Sequence, residues 1–342
     1  MGQQLYWIYA FNIVVNSTLS FFTTILLIEL FIFLFRIKHP RLKAVCRLLP
    51  FFKICLDLCL YHFSNWALLH GVNPILAETG TRQLSVMVNP FTGIQFSMQD
   101  GKTFSIADVL ALSLDPVWIR LIVSVVVLGS IVAIALRLVR IFQEKRCVSW
   151  IVRGSSPVLL PNLKPSLTAW MKKRRIILAA STEVTSPCIT GTTILFPASL
   201  IGAISQEEIE AIIAHEIAHY HWKDCMLRLV CAFIASIFWW VPSKWWQTRM
   251  EEMQEQASDT MIYRFGISQL ALAGAVLKTA QKAKERRSIL ASPFVGRRLW
   301  LQKRMQMIIC GSTKQAIKWK VIQYALMLFS LLSVLLGRLW IF

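Results

Sequence analysis

The sequence is poor in acidic residues and contains no C-x-x-C pattern. Only 18 of its 342 residues are Asp or Glu, against 37 Lys and Arg. None of the eight cysteines belongs to a C-x-x-C pair, so we expect reduced thiols and no disulfide framework or zinc knuckle. Internal repeats and low-complexity stretches are also missing. Because 56% of the residues are apolar, the composition excludes a disordered chain and argues against an ordinary soluble domain.

Long apolar runs indicate membrane spans. Each of the three clearest runs can cross about 30 Å of hydrocarbon as a helix. They are residues 11–35, 118–142 and 321–342. A fourth run, 51–70, contains Asp57 and His62, but the basic residues around it favour a span over a buried soluble helix. The first run lacks a basic leader, so we do not expect a cleaved signal peptide.

The loop charges orient these spans. Residues 36–53 carry six basic residues and no acid, whereas 71–117 carry two basic and four acidic residues. The positive-inside rule therefore places 36–53 and 143–320 in the cytoplasm, and 71–117 and both termini outside. The net charge of +19 follows this topology, so we expect no nucleic-acid partner.

The predicted fold is an α-helical membrane protein with four transmembrane helices and a cytoplasmic domain that is mainly α, with a small β-sheet (α+β). Residues 1–142 would supply three spans and the extracytoplasmic loop, and 318–342 the fourth span. Residues 143–317 form the expected cytoplasmic domain. It opens with an irregular, proline-containing piece, continues with short strands and becomes helical from Ser205. The expected strands are 175–180, 188–190 and 193–196.

The segment from Ser205 to His219 carries the main chemical signal. Ser205 and Glu208 form a capping-box pattern, which predicts that a helix begins there. On that helix His215 and His219 share one face and can bind a single Zn²⁺. Glu216 lies about 100° around the helix, close enough to a metal-bound water to act as its base. This is the H-E-x-x-H pattern of zinc hydrolases.

A catalytic zinc needs a third protein ligand, and the next acidic segment supplies two candidates. Glu255 and Asp259 lie one turn apart on a second predicted helix, so one could bind the metal while the other holds a histidine N–H. A solvated acidic face is the alternative. Asp224 either holds a histidine as well or is only a charge at a helix end. His221 points to the opposite side of the first helix.

An apolar stretch separates the two helices. Residues 229–241 are apolar except for Ser236, and Pro242 follows them. A full crossing would put the histidines and Glu255 on opposite sides of the bilayer. We therefore expect residues 226–247 to enter the membrane or its interface and return, with tryptophans near the headgroups.

These motifs together resemble the membrane metallopeptidase region of the BlaR/MecR-type antirepressor proteins. The resemblance rests on residues 208–224, the Trp/Pro run 238–245 and the E-x-x-x-D pattern at 255–259. It implies a gluzincin-type peptidase with ligands His215, His219 and Glu255 and with Glu216 as the base. Arg304-Met305 resembles an Arg-Ile pair of related domains and implies a part for Arg304 at the oxyanion. The strand expected to hold substrate comprises Ser186, Pro187, Cys188, Ile189, Thr190 and Gly191.

The expected function is that of a zinc endopeptidase in a bacterial plasma or inner membrane. Its expected partners are a protein substrate, the lipid bilayer and, as one option, a second copy of the chain in a homodimer. The substrate would be a cytoplasmic repressor or regulator, or the chain itself. Two alternatives stay open: an HtpX/CAAX-type quality-control or processing protease, and a non-catalytic scaffold or sensor. The chain carries no penicillin-binding sensor domain of the kind found in β-lactam receptors, so β-lactam sensing is not expected.

Overall fold

The computed structural model describes residues 2–69, 86–89, 93–97, 103–105, 113–160, 162–286, 302 and 304–309. The chain divides into two compact units. The first unit contains residues 1–137 and 230–250, and the second contains 138–229 and 251–314. The predicted span 321–342 and most of the loop 71–117 lie outside the described residues.

The described part of the chain is mostly helical, with a small mixed sheet in the second unit. The helices are α1 (Gly2–Leu34), α2 (Pro40–Cys46), α3 (Leu49–Leu69), α4 (Pro116–Arg153), α5 (Pro165–Arg174), α6 (Gln206–Trp222), α7 (Asp224–Ile237), α8 (Lys244–Met261) and α9 (Gln269–Arg286). A further helical segment covers 304–309. The strands are β1 (Val86–Asn89), β2 (Gly93–Ser97), β3 (Thr103–Ser105), β4 (Ser156–Pro157), β5 (Ile177–Ser181), β6 (Cys188–Thr190) and β7 (Thr193–Pro197).

Two of the described helices are long and apolar enough to cross a membrane. They are Ala10–Leu34 within α1 and the whole of α4. The predicted run 51–70 forms α3, which is helical over almost that length but is not one of the two. α3 packs on α1 and carries a buried ion pair, with Lys53 Nζ 2.7 Å from Asp57 Oδ2 and 2.9 Å from Ser20 Oγ. Pairing of this kind offsets the cost of charge among apolar helices.

The apolar stretch near residue 240 turns back on itself. α7 ends at Ile237 and α8 begins at Lys244. Because Arg228 of α7 hydrogen-bonds Gln254 of α8, the two helices form a hairpin, with the tryptophans at and after its turn. Within the first unit the turn is held by α4, since Trp239 Nε1 donates to Val126 O at 3.0 Å and Ser130 Oγ donates to Ile237 O at 2.8 Å. Gly129 permits this contact, because a Cβ there would run into the Trp239 indole.

The second unit is built around a four-stranded sheet in the order β4-β5-β7-β6. β5 and β7 are parallel, and the other two pairs are antiparallel. The predicted strands agree with β5, β6 and β7 to within two residues at each end. The prediction of an irregular, proline-containing start to this domain is wrong in part, because β4 and α5 lie within it. Pro165 is the first residue of α5, where a missing N–H does no harm.

α6 is the most buried helix of the second unit, and its start is as predicted. Ser205 Oγ accepts from Glu208 N at 3.3 Å, and Glu208 Oε2 accepts from Ser205 N at 2.7 Å, which completes the capping box. The sequence has no Gly or Pro between Ser205 and Pro242, yet the helix stops at Trp222. Lys223 adopts the left-handed conformation (φ 54°), and α7 restarts at Asp224 in a new direction.

Candidate metal centre

Three side chains from α6 and α8 converge on one point of the second unit. The Nε2 atoms of His215 and His219 lie 3.1 Å apart. Glu255 brings Oε2 to 3.4 Å from His215 Nε2 and Oε1 to 3.5 Å from His219 Nε2. Tetrahedral ligands about 2.0–2.1 Å from a zinc ion are themselves about 3.3–3.5 Å apart. The spacing and the N, N, O donor set therefore fit one zinc ion.

The charges of this cluster are strongly coupled. Burial would lower the pKa of His215, but contacts with Asp259 and Glu255 outweigh burial and raise that pKa to about 10. Burial would raise the pKa of Glu255, but hydrogen bonds with His215 and His219 hold that pKa well below its usual range. These contacts favour an ionised carboxylate on Glu255 and a bound proton on His215 and His219. A metal ion at the Nε2 atoms would replace the proton there.

The other nitrogen of each histidine faces an acidic side chain. His219 Nδ1 lies 3.0 Å from Asp224 Oδ2, which the turn at Lys223 folds back against the end of α6. His215 Nδ1 lies 3.0 Å from Asp259 Oδ1, close in distance but too poorly aligned to satisfy the buried nitrogen as a hydrogen bond. Carboxylates in these places set the ring orientation and tautomer of metal-binding histidines.

Arg304 reaches the same centre from the segment 304–309. Its Nε atom donates to Asp259 Oδ2 at 2.9 Å, and its NH2 atom donates to Asp259 Oδ1 at 2.7 Å. NH1 lies 3.4 Å from Glu255 Oε2, and NH2 lies 3.5 Å from His215 Nε2. Burial would lower the pKa of Arg304, but the Asp259 carboxylate outweighs burial and raises it. A buried, permanently positive group therefore stands beside the convergence point.

Glu216 is buried beside the histidines and keeps its carboxylate uncommitted. It forms no hydrogen bond or ion pair with the residues that the structure describes, although its charge acts on Arg304 and Cys188. An uncommitted carboxylate retains the lone pairs that a base needs. Burial, and next the nearby Glu216 carboxylate, raise the pKa of Cys188 to about 11.

The predicted substrate strand lies at the edge of the sheet and beside α6. Only Cys188, Ile189 and Thr190 form β6, which pairs with β7 on one side and packs against α6. Ser186 and Pro187 precede the strand. Gly191 forms the turn to β7 with φ 55°. The segment thus brings backbone close to the helix that carries the two histidines.

Sequence reasoning missed three side chains of this centre. Arg228 donates to Gln254 Oε1 at 2.7 Å and to Glu255 Oε1 at 2.9 Å. Ser258 Oγ lies 3.2 Å from His219 Nδ1. A signal for Arg228 was present, since it is the only charged residue between 225 and 241. No comparable signal marks Gln254 or Ser258. His221 is exposed, as expected, and lies near Trp170.

Two histidines one turn apart on a helix, with a glutamate from the next helix but one, define the class of site found in H-E-x-x-H metallopeptidases. The chain matches the family described as BlaR1 peptidase M56 over residues 42–308. It therefore belongs to this peptidase family, and the resemblance to BlaR/MecR-type peptidases is confirmed. A search of curated proteins found no match.

Proposed function

We propose that the chain is a membrane-embedded, zinc-dependent endopeptidase that cuts a cytoplasmic regulator or itself. The observation that carries this proposal is the convergence of three ligand atoms within 4.8 Å of one another, next to the uncommitted Glu216. Membership of the peptidase family supports peptide-bond hydrolysis as the reaction. The two long apolar helices support a place in the membrane.

His215, His219 and Glu255 are the proposed metal ligands. Zinc bound there supplies Lewis-acid polarisation and lowers the pKa of a bound water. The chain's own part is to hold the three donors in place. Asp224 orients the His219 imidazole through a contact of 3.0 Å to Nδ1, and Asp259 places its charge 3.0 Å from His215 Nδ1.

Glu216 is the proposed general base. It takes a proton from the attacking water and later gives it to the amine that leaves when the peptide bond breaks. The products are then a carboxylate and an amine, and the Glu216 carboxylate is regenerated. Arg304 is proposed to stabilise the negative oxygen that forms on the attacked carbonyl, because NH1 and NH2 approach Glu255 and His215.

The substrate is proposed to add to the outer edge of β6, the edge that pairs with no other strand in the described part of the chain. An extended peptide can pair its backbone with an edge strand, so that backbone hydrogen bonds supply affinity with little dependence on sequence. β6 is the terminal strand of its sheet and packs beside α6, which supports this placement. Ser186 to Gly191 would then set which peptide bond lies at Glu216.

We further propose four membrane spans with the peptidase domain 143–317 in the cytoplasm. The distribution of basic residues supports this orientation, with both termini outside. The α7–α8 hairpin supports a segment near 226–247 that enters the membrane and returns. The grouping of residues 230–250 with the apolar helices α1 and most of α4 points the same way.

A test compares Glu216→Gln with Glu207→Gln, which makes the same change at an exposed position of α6. Proteomes of cells carrying each variant would be searched for substrates that accumulate uncut, and zinc content would be measured on each purified protein. We expect Glu216→Gln to keep its zinc and lose cleavage by about 10²–10⁴-fold or more. Glu207→Gln should keep both.

Cleavage at the wild-type rate by Glu216→Gln would overturn the assignment of the base. A wild-type protein that binds zinc but cuts nothing in its native membrane would favour the scaffold alternative.

A further inference from the structure

Arg228 links the two helices that follow the H-E-x-x-H motif. α7 begins with Asp224, the partner of His219, and α8 carries Glu255. Arg228 lies one turn beyond Asp224 on α7. Its Nε atom donates to Gln254 Oε1 at 2.7 Å, and its NH2 atom donates to Glu255 Oε1 at 2.9 Å. One edge of the guanidinium thus grips two successive side chains of the opposite helix.

Gln254 fixes the position of this grip. Its side chain is fully buried. Guanidinium has donors and no acceptor, so the Gln254 amide must turn its oxygen toward Arg228. Arg228 cannot slide along α8 without leaving that buried oxygen unpaired, which is costly. The contact to Glu255 is therefore held in register by its neighbour.

The two oxygens of Glu255 have different surroundings. Oε1 accepts the charged hydrogen bond from Arg228 at 2.9 Å. Among the residues that the structure describes, Oε2 has only longer contacts, 3.4 Å to His215 Nε2 and 3.4 Å to Arg304 NH1. Charged hydrogen bonds of about 2.7–2.9 Å are among the strongest in proteins. Oε1 is thus the oxygen committed to the protein, and Oε2 is the freer ligand atom.

We propose that Arg228 is a positioning residue that keeps Glu255 a one-oxygen metal ligand. This inference rests on the proposed function. A catalytic zinc site needs three protein ligands and one open position. A carboxylate free to rotate could ligate through both oxygens and fill that position. By holding Oε1, Arg228 prevents the rotation and keeps the place for water and substrate open.

Positioning and charge make opposite predictions for metal affinity. A positive charge beside an anionic ligand weakens its attraction for a cation, so charge alone would make metal binding tighter when Arg228 is neutralised. Loss of positioning makes binding weaker, typically by about 10–100-fold when an outer partner of a ligand is removed. Lysine keeps the charge but cannot reproduce the two-pronged geometry.

The experiment uses the full-length chain in phosphatidylglycerol/phosphatidylethanolamine nanodiscs. Zinc affinity is measured by competition with a chelator for wild type, Arg228→Lys and Arg228→Gln, and the visible spectrum is recorded with Co²⁺ in place of zinc. Arg249→Gln is the control, because it removes one positive charge from α8 at an exposed site that stacks on Trp245. We expect both Arg228 variants to bind zinc about 10–100-fold more weakly. Their Co²⁺ bands should weaken as the coordination number rises, and the control should match wild type.

The outcomes separate the inference from the proposed function. Wild-type affinity in Arg228→Lys with equal or tighter binding in Arg228→Gln would show that only charge matters, and would overturn the inference. Failure of the wild type itself to bind zinc would overturn the proposed function instead. Thermal unfolding of metal-free samples shows whether a variant is destabilised. If only Arg228→Gln is destabilised, the zinc affinity of Arg228→Lys decides whether Arg228 positions Glu255.

Discussion

Glu255 depends on its negative charge for its place in the centre. It lies 3.4–3.5 Å from both histidine Nε2 atoms and also accepts from Arg228. A neutral amide of the same size keeps the shape and removes the anionic donor that divalent metals prefer. The negative charge of Glu255 is therefore what its proposed role as a metal ligand depends on.

We predict that Glu255→Gln lowers zinc affinity strongly. The loss should exceed the effect of removing a residue that only hydrogen-bonds a metal ligand, which is typically about 10–100-fold. Zinc content after dialysis would be measured on the purified protein. The matched control is Glu252→Gln, which removes an acid from the same helix three residues earlier. Full zinc occupancy in Glu255→Gln would remove Glu255 from the ligand set.

The residues that could be predicted are those whose partners are close in sequence. His215, Glu216 and His219 share one helical turn, so a spacing rule is enough to group them. Glu255 was named from a second pattern and the resemblance. Arg228 could not be assigned, because its contact to Glu255 depends on how two helices pack, and sequence spacing carries no information on that.

At the scale of elements, the hairpin turn shows how a missing side chain permits a contact. Gly129 lets the Trp239 indole lie close against α4, where Nε1 reaches Val126 O at 3.0 Å. Small residues allow close packing of helices in membranes for the same reason. The turn between α7 and α8 is therefore held at a point where α4 has no Cβ.

We predict that Gly129→Ala destabilises the protein by displacing Trp239, with loss of a hydrogen bond worth about 1 kcal/mol. Thermal unfolding in nanodiscs would be measured for Gly129→Ala, Trp239→Ala and the double variant. Because the two residues act through one contact, the effect of Gly129→Ala should vanish when Trp239 is already alanine. Additive effects of the two substitutions would contradict a shared contact. The control is Leu128→Ala, at an exposed position.

The elements were more predictable than their breaks. The start of α6 has a capping box in the sequence, and it begins there. Its end carries no Gly or Pro that could signal a break. The helix ends because Lys223 takes a left-handed conformation, which lysine rarely adopts. Tertiary packing imposes that turn and places Asp224 against His219. β4 and α5 were not predicted either, because both are short and lie in a segment that contains prolines.

For the whole molecule, the distribution of basic residues predicts which segments lie on each side of the membrane. We predict that residues 143–320 face the cytoplasm and 71–117 face outward. Single cysteines, Pro90→Cys and Lys172→Cys, would be placed in a background without native cysteines. A membrane-impermeant maleimide applied to intact cells should label position 90 and spare position 172. The reverse pattern would invert the orientation.

Cys188 has a consequence for how this centre can be inhibited. It lies on the edge strand close to Glu216, and its pKa is raised to about 11. A raised pKa lowers the share of thiolate at neutral pH, and the thiolate is the form that attacks electrophiles and peroxides. Electrophilic inhibitors and oxidants should therefore react slowly with Cys188. Compounds that would bind the proposed metal ion are the better starting point.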